Sequence, residues 1–294
     1  MGNGYAVTVG TYDGVHRGHR RVFRTLCQLA KAQKLKTLVV AFEEPPKNFF
    51  RPDAPTSLLT LPAEREELLL KAGIDRVESL RFDAGVAAMS AEDYFHDVLR
   101  GRYKARAVCE GEDFGFGHDR RGNIVMLHQL SEKYGVTLKV MPLAKQDDQK
   151  ISSTYIRLLL ADGEVEQAAK LLGYRYFLTG AVVRGQGLGA RMGVPTANLR
   201  VDHRKLLPRG VFAARVRVAG STKVYKGAAN IGVRPTIPGA EPVVHVEVHL
   251  IGFKGDLYGK TLRMEFVRHI RSEKKFPTLL ALKRQIKKDI QAAS

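Results

Sequence analysis

Two histidines three residues apart, His16 and His19, lie in a glycine-rich segment that could bind an anion. The segment follows a short apolar run, Tyr5–Gly10, which predicts a buried strand, and it precedes a helical pattern that begins near residue 17. A helix N-terminus presents free backbone N–H groups and the positive end of the helix dipole. Because a spacing of three residues is about one helical turn, both imidazoles can project to the same side. Two surface histidines would give the same pattern, and no third ligand stands at a zinc-like spacing.

A second polar segment, Ile151–Arg157, follows the last strand predicted in the first half of the chain and begins a helix. Ser152 is a natural N-cap, and Ser153 and Thr154 add hydroxyl groups beside the free amides. Arg157, one turn further on, can bind a phosphate group with two hydrogen bonds. A well-capped helix without a ligand gives the same pattern, so this string alone assigns no function.

A third segment is dense in glycine and suits a backbone that wraps around phosphate groups. Its glycines are Gly185, Gly187, Gly189 and Gly193. The segment has neither the Gly-Lys-Ser/Thr of a Walker A loop nor the helix pattern that follows a dinucleotide fingerprint, and a linker has a similar composition. Thr196 and Asn198 then offer oxygen atoms on the same side of an extended segment. Such oxygens suit a Mg²⁺ ion that keeps several waters and binds nucleotide phosphates.

Glu247 lies on the polar face of a strand predicted over Val244–Leu250, whose alternate side chains are all apolar. His245 and His249 share the face of Glu247. The carboxylate can therefore point away from the core and into a site. A solvated glutamate paired with a neighbouring cation is the alternative for such a position.

The order of elements predicts two kinds of sheet. Residues 1 to about 173 alternate strands with helices, which indicates a parallel sheet covered on both faces, with ligands at the carboxyl ends of its strands. The predicted strands are Tyr5–Gly10, Thr37–Phe42, Arg76–Leu80, Ala105–Cys109 and Thr137–Met141, and the helices are 17–33, 62–72, 91–102 and 124–134. The stretch Glu44–Pro55 is predicted to be a loop near the site. After Gly173, alternating strands and glycine turns predict an antiparallel sheet or small barrel.

The chain ends in a predicted helix with one apolar stripe. The residues of the stripe are Leu279, Leu282, Ile286 and Ile290. Its lysines lie away from the stripe, as in a helix that packs one face on a core.

Composition restricts the class of protein. The 294 residues are enough for two domains, and 48 Lys and Arg against 30 Asp and Glu give a net charge of +18. This surplus favours polyanions, so a nucleic-acid-binding protein is a rival, although phosphorylated small molecules would be served equally well. Two cysteines, Cys27 and Cys109, and no long apolar run indicate a cytoplasmic protein.

The first half resembles a known family. Gly10–His19, read GTYDGVHRGH, resembles the HxGH signature of nucleotidyltransferases, in the form typical of bacterial FAD synthetases. Ile151–Arg157 resembles the SSTxIR motif of the same superfamily, and Gly111–Asn123 resembles its GxDFxFG and Gly-Asn segments. The resemblance implies a Rossmann-like domain over residues 1–173 that transfers an adenylyl group from ATP to FMN, releasing pyrophosphate.

The resemblance also implies roles for single residues. His16 and His19 would bind the reacting phosphoryl oxygens, and Arg157 would hold the leaving phosphates. The other implied ligand contacts are Gly10, Asp13, Gly18, Asn123, Ser153 and Thr154. On composition alone, Phe114 and Phe116 of the GxDFxFG segment are as easily core residues.

Two segments depart from the family pattern in this half. The family usually has Asn-Phe where this chain has Thr11 and Tyr12. Its Phe-Glu-Pro-His-Pro is replaced by Phe42–Pro46, read FEEPP, which lacks the histidine.

The second half resembles riboflavin kinases. Residues 193–198, read GVPTAN, resemble the GxPTAN motif, Asn230–Thr236 matches a further kinase segment, and Arg271–Phe276 resembles the C-terminal signature. The resemblance implies a six-stranded antiparallel barrel with a C-terminal helix over residues 174–294. This domain would phosphorylate riboflavin to FMN with ATP and Mg²⁺.

For the kinase half, the resemblance makes Glu247 the base that takes the proton from the ribityl 5′-hydroxyl. Thr196 and Asn198 would bind Mg²⁺. The implied ligand contacts are Gly185, Gly187, Gly189, Arg191, Gly193, Thr196, Asn198, Arg271 and Glu273. Leu188 and Ala190 replace basic residues that are common in the family's glycine loop.

The sequence therefore predicts an α/β bifunctional enzyme of FMN and FAD synthesis. Its ligands would be ATP, Mg²⁺, riboflavin, FMN and FAD, with no nucleic acid or membrane partner, and a weak homo-oligomer stays open. A kinase with a degenerate, non-catalytic first domain is one alternative, favoured by Thr11, Tyr12 and Glu44. A basic nucleic-acid-binding protein is the other.

Overall fold

The computed structural model describes residues 4–146, 149–185, 187, 189, 192–233 and 244–294. Contacts group the chain into two compact units, Met1–Ser153 and Thr154–Ser294. A domain boundary near Gly173 stays a prediction.

The first unit contains a five-stranded parallel sheet in the order β3-β2-β1-β4-β5. The strands are β1 (Tyr5–Gly10), β2 (Lys36–Phe42), β3 (Arg76–Leu80), β4 (Ala105–Gly111) and β5 (Thr137–Met141). The order runs outward from β1 in one direction and then, from β4, in the other. The carboxyl ends of β1 and β4 thus form the switch point at which open α/β sheets bind ligands. The parallel sheet predicted from the sequence is confirmed.

Helices connect these strands. They are α1 (Arg17–Ala32), α2 (Pro46–Phe50), α3 (Pro62–Lys71), α4 (Ala84–Ala88), α5 (Ala91–Asp93), which continues in π-helical form over Tyr94–Arg102, and α6 (Ile124–Lys133). A short hairpin, β6 (Lys145–Gln146) and β7 (Gln149–Lys150), precedes α7 (Ser153–Ala161). Helix α1 buries Phe23, Leu26 and Ala30. Helix α2 lies within the stretch predicted to be a loop, because Pro46 favours the first position of a helix.

The second unit is built on a closed six-stranded antiparallel barrel in the order β10-β11-β12-β9-β8-β13. Its elements are α8 (Val165–Leu172), β8 (Phe177–Val183), β9 (Ala197–Arg200), β10 (Gly210–Val218), β11 (Val224–Val233), β12 (Val244–Leu250), β13 (Thr261–Arg271) and α9 (Leu279–Ala293). Buried side chains such as Val246, Val248 and Phe266 alternate along β12 and β13 with less buried residues. The predicted barrel is confirmed.

The C-terminal helix α9 is held to the barrel by an ion pair. The guanidinium of Arg271 on β13 donates two hydrogen bonds to the buried carboxylate of Asp289, at 3.1 and 2.7 Å. Leu279, the first residue of the predicted apolar stripe, is 67% exposed at the start of the helix. The other three residues of the stripe are half-buried.

Candidate active sites

His16 and His19 form a stacked pair at the start of α1. Their ring centroids are 3.5 Å apart, and the Nδ1 of His16, the N-cap residue, accepts a hydrogen bond from the backbone N–H of His19 at 3.3 Å. A nitrogen that accepts carries no proton, so the His16 proton is on Nε2, where it can be donated to a ligand. A side chain at Gly18 would begin 3.0 Å from the His16 ring, so glycine is what lets this ring lie against the helix.

His19 is positioned by aromatic contacts. The ring of Tyr12 meets it edge-on with centroids 5.1 Å apart, and Phe23 lies near both rings, 5.0 Å from Tyr12 and 6.4 Å from His19. Burial, followed by the nearby His16 and Arg65, lowers the pKa of His19 well below its ordinary value of 6.5. Its buried Nδ1 has no hydrogen-bond partner among the described residues. At neutral pH, His19 is therefore an uncharged imidazole that can donate one N–H group.

The turn between β1 and α1 is strained. Tyr12 and Val15 have φ angles of 46° and 40°, and Gly14 between them has a φ of 83°. Left-handed backbone is costly for a β-branched residue such as Val15, and it persists only where the surroundings fix it. The backbone N–H of Val15 donates to the carbonyl of Tyr12 at 3.0 Å, which closes the turn.

Asp13 joins this turn to the loop before α3. Its buried carboxylate accepts hydrogen bonds from the backbone N–H groups of Leu59, at 3.0 Å, and Thr60, at 2.8 Å, and from the Thr60 hydroxyl at 3.0 Å. The Thr60 hydroxyl accepts from the N–H of Gly14 at 2.9 Å. The buried guanidinium of Arg65 donates to the Thr60 carbonyl at 3.1 Å. This network holds the strained turn, and contact of Asp13 with a ligand stays a prediction.

A buried polar group lies beneath the same turn. The hydroxyl groups of Tyr12 and Thr8 are hydrogen-bonded to each other. The carboxyl of Glu110 on β4 accepts the N–H of Val9 at 2.7 Å and has 2% of its surface exposed. Burial raises the pKa of Glu110 well above its ordinary value of 4.5, so the neutral acid is favoured. Sequence reasoning missed Glu110, although a glutamate in an apolar strand was a signal.

We expect Glu110→Gln to change how stability depends on pH. A pKa that is raised in the folded state stabilises fully below the unfolded pKa, and this stability is lost as the pH rises through the folded pKa. The glutamine keeps the acceptor for Val9 and does not ionise. The free energy of unfolding of the variant, relative to the original chain, should therefore rise from pH 5 to pH 8, by up to about 1.4 kcal/mol for each pH unit.

Urea unfolding followed by hydrogen exchange of the β1 amides measures this difference. Glu66→Gln is the matched control, because Glu66 is an exposed residue of the same unit. An equal pH dependence in both variants would contradict the assignment of Glu110 as a buried neutral acid.

The other residues predicted for this site lie in different places. The Ser153 hydroxyl donates to the backbone carbonyl of Asp13 at 2.8 Å, which brings the start of α7 to the turn after β1. Asn123 is the N-cap of α6, and its side-chain oxygen accepts from the N–H of Met126 at 3.0 Å. Thr154 and Arg157 lie on α7 and belong by contacts to the second unit. Gly10 ends β1.

Two phenylalanines of the GxDFxFG segment contribute to the core. Phe116 is buried and Phe114 is packed against the same cluster, with ring centroids 5.5 Å apart.

An exposed aromatic cluster at the carboxyl edge of the sheet was missed by sequence reasoning. Phe42 ends β2 and Phe82 follows β3, and with Phe49 and Phe50 of α2 they form contacts with centroids 5.2 to 5.8 Å apart. Phe49 and Phe50 are 44% and 65% exposed. The pair of adjacent aromatic residues in a proline-rich stretch was the available signal. Exposed rings at a ligand-binding edge can take a flat aromatic ligand.

In the second unit, three polar residues stand in a row across neighbouring strands. Glu247 on β12 is directly opposite Asn198 on β9 and directly opposite Asn230 on β11. Directly paired residues point to the same face, with Cβ atoms about 5 Å apart. Val246 and Val248 on either side of Glu247 are buried, so the row lies on the outer face of the barrel. The predicted outward orientation of Glu247 is thus confirmed.

The glycine-rich segment lies beside this row. Thr196 and Asn198 are both half-buried and alternate with buried residues, so they share a side as predicted. A side chain at Gly185 would begin 2.3 Å from the Asn198 amide nitrogen, so the backbone approaches Asn198 closely. Gly187 and Gly193 have φ angles of 69° and 77°. A side chain at Gly189 would begin 2.9 Å from the Thr196 hydroxyl. Arg191, Leu188 and Ala190 lie outside the described residues.

Of the two residues predicted in the C-terminal signature, Glu273 is the one next to the row. A side chain at Gly232 would begin 1.6 Å from the Glu273 carboxylate, so glycine is required there. Gly232 is two residues from Asn230 on β11 and therefore on the same face. Arg271 points to Asp289 of α9 instead, and its contact with a ligand stays a prediction.

The two units define an enzyme class. A doubly wound sheet with a histidine pair and a helix N-terminus at its switch point is typical of nucleotidyl transfer. A carboxylate flanked by two amides beside a glycine-rich loop suits phosphoryl transfer to a hydroxyl group.

Comparison with known proteins agrees with this class. The family model for FAD synthetase matches residues 2–155, and the model for riboflavin kinase matches residues 172–294. The chain is 39% identical over 292 residues to a bifunctional riboflavin kinase/FMN adenylyltransferase of Haemophilus influenzae, covering 99% of this chain and 93% of that protein. It is 35% identical over 286 residues to the protein of the same name from Escherichia coli K12, covering 97% and 90%. The chain belongs to the family of bifunctional riboflavin kinases/FMN adenylyltransferases.

A solved structure supports the fold over the whole chain. It has a TM-score of 0.89 and 30% sequence identity, and the match covers 100% of this chain and 95% of that one. That protein is described as a macrolide-efflux protein from Streptococcus pneumoniae. In the described part of the present chain, no helix is both long enough and apolar enough to cross a membrane.

The chain is therefore an enzyme with two activities. It phosphorylates riboflavin to FMN and adenylylates FMN to FAD, with ATP as the second substrate of each reaction.

Proposed function

We propose that the stacked pair of His16 and His19 is the centre of FAD formation and that Glu247 is the centre of FMN formation. The observation that carries the first assignment is the position of the pair, at the N-terminus of α1 and at the switch point of the sheet. The second assignment is carried by the row of Asn198, Glu247 and Asn230.

FAD formation requires an FMN phosphate oxygen to attack the α-phosphorus of ATP, while the bond to the β-phosphate oxygen breaks and pyrophosphate leaves. No protein nucleophile is needed, so the protein must align the groups and stabilise charge on the phosphoryl oxygens. His16 through Nε2–H, neutral His19 and the free N–H groups of α1 supply donors. Ser153, Thr154 and Arg157 would hold the leaving phosphates, as the resemblance implies. Gly10 and Gly18 make room for the rings of Tyr12 and His16, which shape the site. Asp13 keeps the turn in place.

The exposed aromatic cluster supplies a surface for the flavin ring. Phe49 and Phe50 lie at the same edge of the sheet as the histidine pair, and their exposed faces suit stacking against a flat heteroaromatic ring. This chain lacks the histidine that the family has after Phe42, and the cluster lies where that segment enters α2. The aromatic surface would bind FMN without that histidine.

FMN formation requires the ribityl 5′-hydroxyl of riboflavin to attack the γ-phosphorus of ATP. Glu247 takes the hydroxyl proton as the new bond forms and ADP leaves. Asn198 and Asn230 on either side fix the orientation of the carboxylate. The backbone at Gly185 approaches Asn198, and that at Gly189 approaches Thr196. The glycine-rich segment would wrap the phosphates.

The residues beside Glu247 fit a magnesium ion. Thr196 and Asn198 provide neutral oxygens on one side of the strand, the donor type that Mg²⁺ prefers when substrate phosphates and water complete its coordination. No group of three or more His, Cys, Asp or Glu residues that could hold a metal occurs in the described part of the chain. The ion would therefore be bound largely through ATP. When bound, it would neutralise charge on the transferred phosphoryl group.

We expect Asn198→Ala to raise the Mg²⁺ concentration needed for half-maximal FMN formation by at least about tenfold, because one oxygen ligand is lost. FAD formation from supplied FMN by the same variant serves as the internal control and should keep its Mg²⁺ dependence. A Mg²⁺ titration of each reaction, read by chromatography of the flavin products, measures both. An unchanged Mg²⁺ requirement for FMN formation would remove Asn198 from the metal site.

We also propose that the enzyme works in the cytoplasm with small-molecule partners. The free thiols of Cys27 and Cys109 support a reducing compartment. Incubation of the protein with riboflavin, ATP and Mg²⁺, followed by chromatography, tests the whole proposal. FMN followed by FAD is the expected result, and FMN alone would favour a non-catalytic first domain.

A further inference from the structure

A basic cleft lies at the amino-terminal edge of the parallel sheet, away from the histidine pair. Its volume is about 450 Å³, and it is lined by His96, Arg100, Gly101, Lys104, Ala105 and Arg106. Ala105 begins β4, whereas the histidine pair lies at the carboxyl edge beyond Gly10 and Gly111. A seven-residue strand spans about 20 Å, so the cleft and the proposed adenylylation site are at opposite edges.

The cations of the cleft lack acidic partners. Within the described ranges, no ion pair joins Arg100, Lys104 or Arg106 to a carboxylate. The Nη1 of Arg100 lies 3.4 Å from the Nδ1 of His96, an imidazole rather than a carboxylate. Arg100 also stacks over the ring of Tyr134, 4.6 Å from its centroid. Like charges gathered without counter-charges repel one another, and an anion bound between them relieves the repulsion.

Local backbone features shape this edge of the sheet. Lys104 has a φ of 47°, a costly conformation for a residue with a side chain, and its carbonyl accepts the N–H of Tyr5 at 3.1 Å. A side chain at Gly4 would begin 2.5 Å from the Cγ atom of Arg106, so Gly4 makes room for that arginine. His96 and Arg100 come from the π-helical segment Tyr94–Arg102, a form that is frequent at functional sites.

We propose that this cleft binds an oligophosphate group, meaning two or more linked phosphoryl groups. Arginine binds phosphate oxygens with two hydrogen bonds, and lysine adds a point charge. Among the described residues that line the cleft there is no Phe, Tyr or Trp on which a base or a flavin could stack, and the imidazole of His96 is half-buried. Recognition therefore depends on the phosphate chain alone, and ATP and inorganic tripolyphosphate bind alike.

A titration of the full-length protein with sodium tripolyphosphate tests this site. The imidazole NMR signal of His96, assigned with a His96→Gln variant, reports binding inside the cleft. We expect the signal to shift along one saturable curve with tripolyphosphate and with metal-free ATP, at similar concentrations. Inorganic monophosphate should need at least about tenfold more, because it contacts fewer of the cations.

A matched pair of triple variants distinguishes specific binding in the cleft from general attraction of the anion to a positively charged protein. In Arg100→Gln/Lys104→Gln/Arg106→Gln, the apparent Kd for tripolyphosphate should rise by at least about tenfold. In Lys170→Gln/Lys254→Gln/Lys287→Gln, which removes the same charge from exposed positions of the second unit, it should change by less than about twofold. The double variant Lys104→Gln/Arg106→Gln keeps the stack on Tyr134 and should give an intermediate value.

The remaining outcomes are also decisive. Equal weakening in both triple variants would mean that net charge alone attracts the anion, and the proposal would be wrong. A His96 signal that stays still while those of His16 and His19 move would confine oligophosphate to the catalytic site. Single-stranded RNA that shifts the His96 signal where tripolyphosphate does not would make the cleft a nucleic-acid surface. FAD formation by the first triple variant should stay within about twofold, since the cleft is outside the catalytic machinery.

Discussion

Replacing Glu247 by glutamine should abolish FMN formation and leave FAD formation from supplied FMN intact. The glutamine has the same shape but cannot accept the proton of the ribityl hydroxyl. A positioned general base contributes about 10²- to 10⁴-fold in rate, so a loss of that size in kcat is expected. Because Glu247 faces outward between Asn198 and Asn230, its replacement leaves the barrel core unchanged.

The experiment compares two outward glutamates of the same barrel. Glu265→Gln is the matched control, because Glu265 lies half-buried on β13 and its carboxylate is 4.0 Å from Arg263. Chromatography of products from riboflavin and from FMN gives both rates for each variant. If Glu247→Gln keeps the rate of FMN formation, Glu247 is not the base. If a folded Glu247→Gln variant loses both activities, the proposal that the two centres act separately is wrong.

The parallel sheet and its helices could be predicted from the sequence because their signals are local. Tyr5–Gly10 is a run of apolar and β-branched residues, and the observed strand has the same ends. The helix that carries the histidines was predicted over 17–33 and is observed over Arg17–Ala32. In both cases the period of the apolar residues and a glycine boundary were sufficient.

The hydrogen bonds that hold the turn beside the histidine pair could not be predicted, because they join residues far apart in the sequence. Asp13 accepts hydrogen bonds from Leu59 and Thr60. Glu110 accepts one from Val9, which is 101 residues away in the sequence. No periodicity encodes such pairs. The GTYDGVHRGH motif located the histidines, but only the fold shows that the turn beside them is strained and held by a second loop.

The site on the barrel was predicted only in part, because its residues also come from distant parts of the sequence. Alternation along the strand placed Glu247 on an outward face, which the structure confirms. The partners of Glu247 depend on strand order and register. Asn198 and Asn230 are 32 residues apart in the sequence and become its two neighbours only when the barrel closes.

Replacing His19 by alanine should have the opposite effect to the Glu247 variant, with FAD formation lost and FMN formation kept. Loss of one preorganised donor to a developing oxyanion typically costs about 10²- to 10³-fold in kcat. His128→Ala is the matched control, because His128 belongs to the same unit and its side chain is 60% exposed. His19→Gln restores an N–H donor of similar reach and should recover part of the rate.

The pH dependence of this loss shows which form of His19 acts. Burial lowers the pKa of His19, so the imidazole is neutral at pH 7 and above, and the original chain should form FAD at a similar rate at pH 7 and pH 8.5. The His19→Ala defect should therefore be equally large at both values. A defect that shrinks as the pH rises would show that the imidazolium is the active form. FAD formation by His19→Ala within about twofold of the original rate would remove the stacked pair from the reaction altogether.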